Sequence, residues 1–140
     1  MFMITIKAFA AGFLSTLLFH QGLMAILHAA GAIPRKAYSM TPTAPLQIPQ
    51  VISTAFWGGV WGILLWLLIS RFEGATYWVI AMVAGAIAPT AIALLVVFPL
   101  KGMKLGDAWK SILVGALILN ATWGLGVALL MRLFTRAGRG

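Results

Sequence analysis

Cysteine is absent from the 140 residues. That excludes disulfides, palmitoylation, thiolate metal sites and iron–sulfur ligation together. Acids are almost absent as well: Glu73 and Asp107 are the two. Histidine is limited to His20 and His28. So few ligands and bases give no Ser–His–Asp set and no metal-ligand spacing, and no phosphate-binding glycine loop stands in the chain. The sequence predicts no catalytic residue, no metal site and no enzyme activity.

Charge is missing in a more telling way. Residues 8–29, 50–70, 77–100 and 111–131 hold no Asp, Glu, Lys or Arg. Each run reaches the roughly 20 residues a helix needs to cross a bilayer. Hydrophobic residues make up 62% of the chain, charged ones 9%, and mean hydropathy is +1.03. The reading is an all-α, multi-pass membrane protein: four transmembrane helices in an antiparallel bundle, forming one domain over residues 1–140. With no carboxylate inside a span, carboxylate-driven proton coupling is not expected.

The formal charge is +8, from ten Lys and Arg against the two acids. The basic residues flank the apolar runs, where lipid headgroups attract them. The expected partner is therefore the bilayer, not nucleic acid. A cleaved leader is the weaker reading of residues 8–29. Ala30-Gly31-Ala32 has the small-x-small form of a cleavage site, but the run exceeds the 7–15 residues of a signal core and carries His20 and Gln21.

The connections are short except the first. Gly31 and Pro34 stop the first helix. Residues 31–48 carry Pro34, Pro42 and Pro45, yet also Ile33, Tyr38, Met40, Leu46 and Ile48. Such a segment is too apolar for a solvated linker. It is expected to be ordered, lying on the bundle end, the membrane interface or another subunit. Pro49 is placed at the first position of the second helix. Arg71, Glu73 and Gly74 make a tight turn that predicts a hairpin of the second and third helices. Asp107 is the expected N-cap of the fourth helix. That helix is expected to end near Arg132, with Arg136 and Arg139 in a frayed tail.

Lys7, Arg71, Arg132, Arg136 and Arg139 fall on one side, and Arg35, Lys36, Lys101, Lys104 and Lys110 on the other. This tie leaves the positive-inside rule undecided, and dual topology is a reading of it. The Arg cluster near residue 140 favours both termini in the cytoplasm of a bacterial inner membrane. A faint repeat links Phe56-Trp57-Gly58 with Thr122-Trp123-Gly124, and Ala11-Gly12 with Ala84-Gly85. From sequence alone, chance in an apolar composition is the preferred reading.

Taking the midpoints of the four runs brings His20, Gln21, Thr90, Asn120 and Thr122 to one depth. Pro89 adds a break there, since its missing N–H frees the carbonyl of Gly85. Hydrogen bonding of His20 or Gln21 with Asn120 or Thr122, directly or through water, is expected, as interhelical glue ahead of a functional site. Haem ligation by His20 is not the expected reading, because His20 and His28 share a helix and a bis-histidine haem needs facing helices. Gly58 and Gly62, Gly85, and Gly124 with Ala128 form close-packing stripes. The functional expectation is an accessory or assembly subunit of a larger membrane complex. The alternatives are a homodimeric transporter or channel built on the midplane polar residues, then a haem- or quinone-associated redox subunit.

Overall fold

In hydrocarbon no water can satisfy a peptide group, so apolar runs of this length must close their hydrogen bonds as helices. A computed structural model describes residues 1–138, with Arg139 outside the described residues. It is 78% helical, and its four helices form a compact bundle. They are α1 (Phe2–Ala29), α2 (Gln50–Ile69), α3 (Gly74–Leu100) and α4 (Gly106–Ala137), each long and apolar enough to cross a membrane.

Several boundaries differ from the sequence expectation. The first helix begins at Phe2, ahead of Lys7. Phe2, Met3, Ile4 and Ile6 continue its apolar surface, and Lys7 extends its stem so that Nζ donates to the Phe134 carbonyl near the end of α4 (3.0 Å). Pro49 is the N-cap of α2, not its first helical residue. Pro89 does not interrupt α3, which continues to Leu100. Asp107 makes no capping bond; it lies in a 3-10 turn, Gly106–Ala108, that opens α4. The fourth helix continues past Arg132 to Ala137, so Arg136 is helical.

The hairpins are also not the expected ones. A four-residue turn joins α2 to α3, but α2 packs chiefly on α1 and α3 chiefly on α4. The reason lies in the glycines. A methyl group on Gly12 would strike the Gly58 carbonyl, and one on Gly62 the Ala8 carbonyl. In the second hairpin, a methyl on Gly85 would meet the Cα of Gly124, and one on Gly124 the Ala81 carbonyl. Backbones this close gain packing that larger side chains forbid. The hairpins then join through α1 and α4, around Ala8, Ala11, Trp123, Val127 and Met131.

The motifs that sequence alone attributes to chance thus occupy equivalent places. Gly12 meets Gly58 in one hairpin as Gly85 meets Gly124 in the other. The first helix of each hairpin also ends alike. Gly31 and Gly102 have φ of 76° and 67°. Ala32 N–H bonds to Leu27 O and Met103 N–H to Phe98 O, the six-to-one closure of a Schellman stop. These findings favour a genuine repeat.

At the end holding residue 2 and residue 137 the helices finish nearly level. At the other end α2 stops short. Its 20 residues rise about 30 Å, whereas the 28, 27 and 32 residues of α1, α3 and α4 rise about 40 Å or more. The segment between α1 and α2, loop 1, follows the protruding turns of α1 and fills that notch. Its tip is a small antiparallel hairpin, with Pro42–Thr43 (β1) paired to Ile48–Pro49 (β2).

Candidate functional site

The residues expected at one depth divide into two clusters. Ser15 is level with Trp123, which leaves His20 and Asn120 only about 3 Å apart in depth; helix rotation separates them, turning Gln21 toward loop 1 and Asn120 toward α3.

The first cluster joins α1 to loop 1. Residues Thr16–His20 form a π turn, in which Gln21 N–H bonds to Thr16 O. An α-helical bond would have gone to Leu17 O. The released Leu17 carbonyl accepts from Tyr38 Oη instead (2.7 Å). Gln21 is 6% exposed. Its Oε1 accepts from Tyr38 N–H (2.8 Å), while its Nε2 donates to His20 Nδ1 at 3.4 Å. Tyr38 is held at φ 54°, a left-handed conformation uncommon outside glycine and stabilised here by these two bonds. Farther along, His28 Nδ1 donates to Ile33 O (3.0 Å).

Loop 1 also closes the end of α2. Gln50 N–H donates to Thr41 O and Val51 N–H to Ser39 O, both at 2.9 Å. Two of the unpaired donors at that helix start are thereby satisfied. His20, Gln21 and His28 consequently act as fasteners for a loop that itself caps α2.

The second cluster lies between α3 and α4. Asn120 Nδ2 donates to Thr90 Oγ1 at 2.9 Å, with Thr90 2% exposed. The structure therefore brings together Asn120 and Thr90, and separately Gln21 and His20. No direct bond joins His20 or Gln21 to Asn120 or Thr122. Thr122 Oγ1 returns to its own helix, at Ile118 O (3.0 Å).

Polar contacts deep in the bundle were also missed by sequence reasoning. Ser15 Oγ donates to Trp123 O (2.7 Å), and Trp123 Nε1 donates to Gly12 O (3.2 Å). Tyr77 Oη donates to Ala128 O (2.7 Å). Thr16 Oγ1 bonds back to Gly12 O (2.9 Å). A buried Trp or Tyr needs a partner for its polar atom, which was the available signal. Arg132 covers the Tyr77 and Trp78 rings, 4.5 and 5.6 Å from their centroids.

Among the described residues no buried side-chain nitrogen or oxygen lacks a partner, and no three His, Asp or Glu converge for a metal. The packing candidates Gly58, Gly62, Gly85, Gly124 and Ala128 all meet neighbours inside the bundle. Spare stripes therefore give no argument for a partner. Apolar clefts open between helices. One, of about 90 Å³, lies between α2 and α3 over Trp61, Leu65, Ala88 and Trp123. Another, of about 300 Å³, separates α3 and α4 beyond Thr90. Comparison of the chain with protein-family models, curated proteins and solved structures finds no match.

Proposed function

We infer that this protein is an accessory or assembly subunit of a larger membrane complex, without catalysis of its own, and that loop 1 is its docking element. The carrying observation is the contrast between the loop's root and its tip. The root is fastened to α1 and α2 by Tyr38, Gln21, Ser39 and Thr41. The tip shows apolar side chains, with Met40, Leu46 and Ile48 exposed by 66%, 75% and 38%. An ordered apolar projection is the anatomy of an interaction surface.

The chain is assigned to a bacterial inner membrane with both termini in the cytoplasm and loop 1 outside. Arg132 and Arg136, with Arg139, supply the positive-inside argument. A second reading is a homodimeric transporter; parallel repeats of the kind seen in the two hairpins occur in transporters.

A photo-crosslinking residue at Leu46, in native membranes, tests the proposal against one at Val79, near the opposite end. The expected result is a discrete adduct with another membrane protein from Leu46 only. Adducts only between copies of this chain would favour the transporter, and none at Leu46 would overturn the docking role.

A further inference from the structure

The cleft between α3 and α4 has a composition gradient along its length. Ile87 and Thr90 line its inner end, with Thr90 bonded to Asn120 behind it. Its walls are Ala91, Leu94, Leu95, Leu113 and Leu117, and its volume is about 300 Å³. Leu105 and Trp109 close the end away from the chain termini. Those two residues are bracketed by cations. Lys104 precedes Leu105, and Lys110 follows Trp109 with Nζ 5.5 Å from the indole centroid. Lys101 ends α3 nearby in sequence, and Asp107 is the single acid of that connection.

The separation of α3 from α4 is built into α3. Residues Ala93–Val97 form a π turn in which Phe98 N–H bonds to Ala93 O. Pro99 follows and has no N–H to give. Small-residue contact at Gly85 and Gly124 holds the helices together below, and none continues the contact above Thr90.

We propose that this cleft binds one anionic glycerophospholipid, with an acyl chain between α3 and α4 and the phosphate at Lys104 and Lys110. The chemistry on each part matches the ligand. The walls are apolar to the depth of Thr90, Trp109 is the amphipathic aromatic at the mouth, and Lys110 beside it and Lys104 next to Leu105 supply the cations. Basic pockets between membrane helices hold anionic headgroups in this manner. The site is independent of loop 1 and of the docking role assigned to it.

The test uses the full chain in phosphatidylcholine vesicles. Phosphatidylglycerol or phosphatidylcholine with brominated chains is added at equal mole fraction, and tryptophan quenching is read. The expected preference for the anionic lipid is roughly five- to thirtyfold in apparent affinity, the range for one to two lysines acting at the surface. Trp109→Phe should remove the excess quenching, which identifies the reporter. Lys104→Gln with Lys110→Gln, both exposed and outside the apolar runs, should make the two lipids equivalent. Ala91→Phe fills the cleft and should also abolish the preference while circular dichroism stays helical. Equal quenching by both lipids in the unaltered protein would overturn the proposal. So would a preference that survives the lysine pair, or one that survives Ala91→Phe. Native mass spectrometry provides a second readout: one retained anionic lipid per chain, lost in the lysine double variant.

Discussion

Gly124 and Gly115 lie on the same helix, and what surrounds them separates structural glycine from incidental glycine. A methyl group on Gly124 would meet the Ala81 carbonyl, whereas one on Gly115 meets nothing within 4 Å. Gly124→Val should therefore cost about 1–3 kcal/mol or more, because neither backbone can yield. Gly115→Ala should stabilise by up to about 1 kcal/mol through helix propensity. Thermal unfolding followed by circular dichroism in detergent checks both. The Asn120–Thr90 bond calls for a double-mutant cycle with Asn120→Leu and Thr90→Val. The expected coupling is about 0.6 kcal/mol and at most about 1.7. A coupling near zero would mean that the two side chains do not support each other. At this scale the sequence was informative about which residues are polar or small, and less so about their partners. Gly58 and Gly62 were legible as a packing pair; that they seat Gly12 was not. Asn120 was legible as a buried polar group. Its pairing with Thr90 depends on helix rotation, which depth alone does not determine.

Loop 1 shows how an element can depend on a defect in its neighbour. The π turn of α1 releases the carbonyl that Tyr38 occupies. Tyr38→Phe leaves that carbonyl without its donor and should cost about 1 kcal/mol locally. The readout is limited proteolysis. The unaltered chain should resist cleavage after Arg35 and Lys36, and Tyr38→Phe or Gln21→Leu should be cut faster while the helices stay folded. Rapid cleavage of the unaltered loop would contradict the anchoring. The order of this segment was legible from its apolar residues, despite three prolines. Its anchoring was not, since it depends on the carbonyl released by the π turn, and Thr16–His20 carry no local sequence signature of such a turn. The end of α4 was misjudged for a related reason. Arg132 reads as a boundary, yet it lies along α4 and rests over Tyr77 and Trp78, so the helix runs on to Ala137.

At the scale of the whole molecule, four helices bring the start of α1 beside the end of α4, as Lys7 and Phe134 show. Reporters placed after Gly138 and at Leu46 should fall on opposite sides of the membrane, the first in the cytoplasm. Mixed populations at both positions would point to dual topology. The count of helices was legible because missing charge over some 20 residues has few other meanings. Their pairing was not, because the short turn after Ile69 suggests an α2–α3 hairpin that the glycine contacts override. The helices are unequal in length. The charge-free runs within them are nonetheless nearly equal, at 22, 21, 24 and 21 residues, or roughly 31–36 Å, so the bundle offers the bilayer one hydrophobic thickness and carries its extra turns beyond it. Thermal stability in vesicles should consequently peak at an acyl-chain length matched to that thickness and fall as the chains are lengthened, because Lys7, Lys110 and Arg132 would then be drawn toward hydrocarbon.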